Sequence, residues 1–166
     1  ATWDVDLEER IGEAIGLELR AVGADLYGGV CVNVLRHPAW GRAQETYGED
    51  PHHVGELGAA LTRGVQRHVM ATVKHFACNS MENARFKVDV EVDDEALHEV
   101  FLPHFKRVVD EGVACVMSAR TRATHLAIAG WPGCGRIGIG RSSLRDATGG
   151  SSPELSGGAH LLVKAL

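Results

Sequence analysis

Long apolar segments are absent from this sequence of 166 residues. No run reaches the roughly 18 apolar residues of a membrane-spanning helix, and the first residues contain neither the basic region nor the apolar core of a secretory signal. The composition, with 45% hydrophobic and 23% charged residues, is that of a globular protein, so we expect no membrane partner. Because the sequence does not begin with methionine, we also expect that an upstream part is missing. Localisation therefore stays open, with the cytoplasm favoured.

Paired cysteines and metal-binding motifs are also absent from the sequence. The four cysteines are far apart and form no CxxC pair, which argues against a disulfide framework or a zinc site. The nine histidines include no HExxH motif, so we predict neither a metal nor a cofactor. The formal net charge of -5 disfavours nucleic acid and favours a neutral partner. The cysteines, interpreted as free thiols, are Cys31, Cys78, Cys115 and Cys134.

Helical and extended patterns alternate through the first two thirds of the sequence. Apolar residues recur every three or four positions in the predicted helices and are mostly continuous in the predicted strands. Short connections between them indicate parallel βα units and an α/β fold. A complete eight-stranded barrel usually needs about 250 residues, so the sequence predicts a partial (β/α)8 TIM-type barrel. The predicted helices are 6–22, 51–68, 93–102 and 103–112, and the predicted strands are 24–27 with 31–35, 70–76, 87–92 and 114–117.

The apolar run from Met70 to Phe76 contains a lysine and a histidine near its end. In α/β barrels the side chains that contact substrate lie at the carboxyl ends of the strands, which makes Lys74 and His75 candidates for ligand contact. A structural alternative stays open, in which Lys74 is solvated at the strand end and His75 is a hydrogen-bonded core histidine. Residues 39–51 are predicted to form a long loop, and loops of this length commonly carry function.

Several motifs follow one another in the order typical of a known family. They are Asn33–Arg42, Glu45–Pro51, Val73–Phe76, Leu97–Phe105 and Val116–Ala119. On these residues the sequence is similar to glycoside hydrolase family 3, the group of β-glucosidases and β-xylosidases. The resemblance spans residues 1–119, which we predict to be part of an N-terminal barrel domain.

The resemblance implies an enzyme that hydrolyses O-glycosidic bonds with retention of configuration and takes a β-linked glucoside as substrate. On the family pattern, Arg42, Lys74 and His75 bind the sugar hydroxyls. The chemistry agrees, because a neutral polyol is held by directed hydrogen bonds and these side chains supply several donors. Neighbouring residues of a regular strand point to opposite faces, so both Lys74 and His75 can face one sugar only if the backbone departs from strand geometry. We therefore predict a distorted peptide, such as a cis bond, within residues 74–76.

The resemblance stops at Ala119. Retaining hydrolysis needs two carboxylates about 5 Å apart, and the family places its nucleophilic aspartate in a Ser-Asp-Trp-like motif. This sequence has no such motif, and Asp146 is its single aspartate after Asp110. We therefore expect no catalytic residue in the chain and no hydrolysis by it. Residues 120–166 are predicted to be a glycine-rich tail that does not match the family and is either frameshifted or disordered.

Charged side chains in the predicted loops resemble candidates for a catalytic pair, but we expect structural roles for them. Asp50 precedes Pro51, which is typical of a helix N-cap followed by a proline in the first turn. The others are expected to fix the loops through ion pairs. They are Glu45, Glu49, Glu82 and Arg85.

Two other functions are kept as alternatives. The segment Gly133–Gly138 matches the GxGxxG pattern of dinucleotide-binding proteins, although no apolar helical pattern follows it. A degenerate paralogue that binds sugar without cleaving it is the second alternative. The sequence does not determine the preferred sugar, its linkage or the oligomeric state.

Overall fold

The computed structural model describes residues 2–83 and 87–119, together with the backbone of 122–123 and 161–163. Helices and strands alternate there, as the sequence predicts. None of the described helices is long and apolar enough to cross a membrane. The helices are α1 (Val5–Ala21), α2 (Pro51–Val65), α3 (Asp94–Ala96) and α4 (Pro103–Asp110), and the strands are β1 (Leu26–Tyr27), β2 (Met70–Phe76), β3 (Asp89–Val90), β4 (Cys115–Ser118), β5 (Arg122–Ala123) and β6 (Leu161–Val163).

Three strands of the main sheet run parallel, which confirms the predicted βα units. Strand β1 pairs with β2, and β2 pairs with β4, so β2 lies between two parallel neighbours. Helix α2 lies between β1 and β2 in the chain, and α4 lies between β2 and β4, as parallel strands require a crossover connection. Strand β6 pairs antiparallel with β4, and β3 and β5 form a separate parallel pair. The described part is therefore a partial α/β sheet.

Aspartates and glycines set several helix ends where the sequence predicts them. The Asp50 carboxylate accepts a hydrogen bond of 2.6 Å from a first-turn N–H of α2, and Pro51 begins that helix. Asp93 caps α3 in the same way, at 2.7 Å. After α1 and α4 the chain turns at Gly23 and Gly112, whose φ angles of +82° and +93° favour glycine.

Two predicted helices differ in length or regularity from the structure. Helix α2 ends at Val65 rather than at about residue 68, because the N–H of His68 bonds the carbonyl of Val65 and tightens the last turn. Helix α3 has three residues and continues as a π-helical segment, Leu97–Phe101. The break before Pro103 is confirmed, since proline has no N–H to donate and instead begins α4.

The apolar residues that recur every three or four positions in the predicted helix 6–22 are not all buried, because α1 packs against α2 through glycines. Ile11 is 38% exposed and Val22 is 80% exposed. A Cβ atom on Gly12 would lie 2.5 Å from the carbonyl oxygen of Leu61. Glycine therefore allows the two helix backbones to approach closely. The residues of α1 that are buried are Glu8, Gly12 and Gly16.

The hydrophobic core lies between the sheet and the helices α2 and α4. Phe76, the last residue of β2, contacts Phe105 of α4 edge to face, with ring centroids 5.1 Å apart. His104 is 1% exposed, and burial lowers its pKa to about 3. Its Nδ1 has no hydrogen-bond partner among the described residues. The valines buried in this core are Val30, Val32, Val34, Val54, Val65, Val69, Val73, Val108, Val113 and Val116.

The first strand is interrupted between its two predicted pieces, 24–27 and 31–35, where Gly28 and Gly29 lie. Strand β1 ends at Tyr27, and the chain rejoins β2 through a parallel bridge between Cys31 and Lys74. The two pieces of the predicted first strand, on either side of the glycines, therefore both pair with β2, which confirms that the second piece continues the first.

The distorted end of β2 is also confirmed. The peptide bonds Lys74–His75 and Phe76–Ala77 are both cis. The pairing register between β2 and β4 shifts between Lys74 and Phe76. The candidate residues Lys74 and His75 therefore lie in the irregular part of β2.

Candidate functional site

The structure brings together Arg42, Lys74 and His75, the three predicted site residues. Lys74 and His75 lie near the end of β2, whereas Arg42 comes from the preceding loop and immediately precedes a 3-10 helix, Ala43–Glu45. Nη1 of Arg42 lies 2.8 Å from Nε2 of His75. Nζ of Lys74 lies 3.5 Å from a carboxylate oxygen of Glu45. The loop and the strand end thus form one polar surface.

Glu45 joins the two cations of this surface. Its carboxylate accepts two hydrogen bonds from the Arg42 guanidinium, from Nε and Nη2, each at 2.7 Å. These hydrogen bonds, helped by the charges of Arg42 and Lys74, lower the pKa of Glu45 to about 2. The same bidentate contact raises the pKa of Arg42. The ion-pair role predicted for Glu45 is confirmed, because its carboxylate is held ionised by donors on both oxygens.

Of the other loop residues with expected structural roles, Glu82 and Asp50 have partners in the structure. Glu82 lies 3.8 Å from Nη1 of Arg42 and accepts a hydrogen bond of 3.2 Å from Asn79. Asp50 caps α2 as described above. Glu49 is exposed, and its predicted ion pair stays a prediction. Arg85 lies outside the described residues.

Asn33 is a residue of this site that the sequence analysis did not select. Its side chain is buried, with Oδ1 accepting a hydrogen bond of 2.8 Å from the N–H of His75 and Nδ2 donating one of 2.9 Å to the carbonyl of His75. The hydroxyl of Thr46 donates to the Asn33 carbonyl at 2.5 Å. The signal was present in the sequence, because Asn33 is the first residue of the motif that ends at Arg42.

A cleft of about 440 Å³ adjoins Lys74 and Glu45. On its wall, the Tyr47 hydroxyl donates a hydrogen bond of 2.6 Å to the Glu8 carboxylate, and burial raises the pKa of Tyr47. Cys31 also lines the cleft, and burial raises the pKa of its thiol, which keeps the sulfur protonated and unreactive near neutral pH. The cleft walls therefore combine hydrogen-bonding groups with aromatic and aliphatic surface.

Metal-binding groups are not assembled in the part of the chain that the structure describes. No three histidine, cysteine or acidic side chains come together there in a way that could hold a metal ion. Cys31, Cys78 and Cys115 are buried free thiols, as predicted. Cys134 and the segment Gly133–Gly138 lie outside the described residues.

Comparison with known proteins gives the family of this chain. The family model described as the glycosyl hydrolase family 3 N terminal domain matches residues 1–137. This chain belongs to glycosyl hydrolase family 3. The matched range contains Arg42, Lys74 and His75, and it continues beyond Ala119, where the resemblance of the motifs ends.

Relatives of this family 3 chain are much longer proteins. Beta-glucosidase BoGH3A of Bacteroides ovatus is 42% identical over 129 residues, which cover 75% of this chain and 17% of the relative. Beta-glucosidase B of Emericella nidulans is 40% identical over 112 residues, which cover 67% and 13%. The structure of beta-glucosidase 3B from Thermotoga neapolitana in complex with alpha-D-glucose has a TM-score of 0.72 and 38% identity, covering 74% of this chain and 17% of that one.

The family 3 chain therefore spans less than a fifth of the length of these relatives. Its fold agrees with that of the beta-glucosidase 3B structure over 74% of this chain. The predicted fold class, a partial TIM-type α/β barrel, is confirmed.

Proposed function

We propose that this chain carries the sugar-binding surface of a retaining β-glycosidase that acts on β-linked glucosides. The observation that supports this most directly is the convergence of Arg42, Lys74 and His75 around Glu45. The relatives named beta-glucosidase and the glucose complex of one of them support the same class of substrate. In this proposal the three residues bind hydroxyl groups of the sugar.

The chemistry of the surface suits a neutral polyol. The side chains of Arg42 and Lys74 are only 20% and 17% exposed, so hydrogen bonds that they donate to a ligand face little competition from water. A guanidinium has five N–H donors, and the contacts with Glu45 and His75 use three of them. The Lys74 ammonium has three N–H donors; one faces Glu45, at 3.5 Å, and the others can turn toward a ligand. Hydroxyl oxygens are good acceptors for both cations.

Hydrolysis is proposed for a longer protein and not for these residues alone. Retaining cleavage needs a nucleophilic carboxylate and an acid/base about 5 Å apart. Glu45 does not serve, because both of its oxygens are held by Arg42, and the sequence contains no Ser-Asp-Trp motif. A native product much heavier than 17.8 kDa would support a complete glycosidase, whereas a native product of that mass would support the degenerate sugar-binding paralogue.

The test is a titration of the 166-residue chain with D-glucose, followed by heteronuclear NMR. We compare the unsubstituted chain with Lys74→Met, which keeps most of the side-chain length and removes the charge. Hydrogen bonds from charged groups contribute about 1.5–3 kcal/mol, so the Kd for glucose should rise about tenfold or more. Lys106→Met is the matched control, because Lys106 is an exposed lysine that pairs with Asp110 along α4. The control should leave the Kd unchanged.

Two outcomes would contradict the proposed function. One is an equal loss of affinity in Lys74→Met and Lys106→Met, which would mean that the lysine at β2 has no special contact with the sugar. The other is a titration in which glucose shifts no resonance of Arg42, Lys74 or His75.

A further inference from the structure

The Asn33 side chain contacts both the backbone and the imidazole ring of His75. Three contacts join the two residues, which lie 42 positions apart in sequence. Asn33 is itself 2% exposed. We propose that Asn33 is a positioning residue that holds the His75 ring as its neutral Nδ1–H tautomer, with Nε2 as the acceptor in the sugar site. This inference deepens the proposed function and rests on it for the role of His75 toward the sugar.

The orientation of the Asn33 amide follows from the backbone of His75. The N–H of His75 can only donate, and it lies 2.8 Å from the atom that must therefore be Oδ1 of Asn33. The carbonyl of His75 can only accept, and it lies 2.9 Å from the atom that must therefore be Nδ2. The two contacts agree, so the amide has one orientation, with its oxygen toward the histidine ring.

The fixed amide in turn decides which ring nitrogen carries the proton. Nδ1 of His75 lies 3.0 Å from the Asn33 oxygen, which has no proton to give, so Nδ1 must donate. On the other side of the ring, Nε2 lies 2.8 Å from Nη1 of Arg42, a group that only donates. Nε2 must therefore carry a lone pair. Two independent neighbours thus select the same tautomer.

Several charged and titratable groups lie near the ring in the part of the chain that the structure describes. Arg42 faces Nε2 through Nη1, which also lies 3.8 Å from a Glu82 carboxylate oxygen, and Glu45 binds the other two guanidinium nitrogens. The Cys31 thiol lies 3.9 Å from the same Asn33 oxygen that faces Nδ1. A second proton on Nε2 would point at the guanidinium of Arg42, which repels it.

The selected tautomer adds a neutral acceptor beside the donors of Arg42 and Lys74. The side chains of Arg42 and Lys74 can only donate hydrogen bonds to a ligand. The Nδ1–H of His75 is also a donor, but Asn33 already accepts from it. Nε2 is the ring atom that can accept a hydroxyl proton from the sugar in place of an N–H of Arg42. A polyol, whose hydroxyls both donate and accept, fits this mixture better than a ligand that only accepts.

The test reads the tautomer of His75 by long-range nitrogen–proton NMR of the imidazole rings in the full chain. Spectra are recorded at about pH 8, above the usual range of histidine titration, and the His75 signals are assigned by their loss in His75→Gln. The unsubstituted chain should show the Nδ1–H form. Asn33→Asp should keep that form, because a carboxylate oxygen also accepts from Nδ1–H. Asn33→Ala should weaken the preference for that form, because Arg42 alone still disfavours a proton on Nε2, and should raise the Kd for D-glucose roughly three- to tenfold.

The controls separate a positioning role from a general loss of structure. Asn83→Ala, at an exposed asparagine, should leave the His75 signals unchanged. The inference would be overturned by an Nε2–H form in the unsubstituted chain, or by a tautomer ratio in Asn33→Ala equal to that of the unsubstituted chain. If Asn33→Ala does not fold, the unsubstituted chain and Asn33→Asp still decide, because either one in the Nε2–H form overturns it. A chain that shows the Nδ1–H tautomer without binding glucose would contradict the proposed function alone.

Discussion

The crossing of α1 and α2 should not tolerate a methyl group at Gly64. A Cβ atom there would lie 2.1 Å from the carbonyl oxygen of Glu9 and 2.6 Å from the backbone nitrogen of Glu13. Carbon atoms in ordinary contact are about 3.5–4.0 Å apart, and both obstacles are backbone atoms that no side-chain rotation can move. The helices would have to separate by roughly 1 Å or more, with loss of packing along the crossing.

The expected free-energy change of Gly64→Ala follows from two opposed effects. Alanine in a helix interior stabilises by about 1 kcal/mol relative to glycine, whereas overpacking typically costs about 1–3 kcal/mol and occasionally more. Because the added Cβ would lie so close to backbone atoms, we expect an overpacking cost at the upper end of this range and a net loss of stability of about 2 kcal/mol. For a chain of this size that corresponds to a fall in Tm of about 4–8 °C.

Thermal unfolding followed by far-ultraviolet circular dichroism measures the effect. Gly28→Ala is the matched control, because a Cβ atom at Gly28 would meet nothing within 4 Å, so its Tm should stay close to that of the unsubstituted chain. A Tm of Gly64→Ala equal to or above that of the unsubstituted chain would refute the reasoning, since it would mean that the helix crossing adapts without cost.

Two further predictions concern pH. Burial lowers the pKa of His104 from 6.5 to about 3, so between these pH values the unfolded chain binds one more proton than the folded chain. The contribution of neutral His104 to the free energy of unfolding is therefore complete above pH 6.5. It is lost as the pH falls toward about 3, at up to about 1.4 kcal/mol per pH unit. Urea unfolding at several pH values should show this slope, and His104→Gln should flatten it; an unchanged slope would contradict the assignment. Hydrogen bonds from Arg42 lower the pKa of Glu45 from 4.5 to about 2, so its contribution is complete above pH 4.5 and is lost below it. Glu45→Gln should reduce the pH dependence of the free energy of unfolding only below pH 4.5. A change near pH 6 would argue against this assignment.

Local rules of sequence predicted the parts of the fold that depend on neighbours in the chain. The cap at Asp50, the break at Pro103 and the stop at Gly112 each follow from the chemistry of one or two residues. The buried face of α1 could not be predicted in the same way. Glycine contributes no hydrophobic signal, and the reason for Gly12 is the backbone of another helix.

The site shows the same division between local and distant causes. Lys74 and His75 could be selected because they end an apolar run, and Arg42 because it lies in a motif of the family. Asn33 lies in the same motif as Arg42, but its role could not be predicted, because its partner His75 is 42 positions away in sequence. Pairings of this kind become visible only when the fold brings the two segments together.

The balance of charge in the site explains why these side chains suit a neutral ligand rather than an anion. Arg42 and Lys74 contribute two positive charges, and Glu45 and Glu82, which lie within 4 Å of one or both of them, contribute two negative charges. Two unpaired cations at this spacing would attract phosphate or carboxylate groups through their summed field. With the carboxylates in place that field is largely cancelled at short range, while the directions of the remaining N–H groups are kept. Discrimination then depends on hydrogen-bond geometry, so the proposed sugar binding requires the loop with Arg42 and Glu45 and the end of β2 to keep their relative positions.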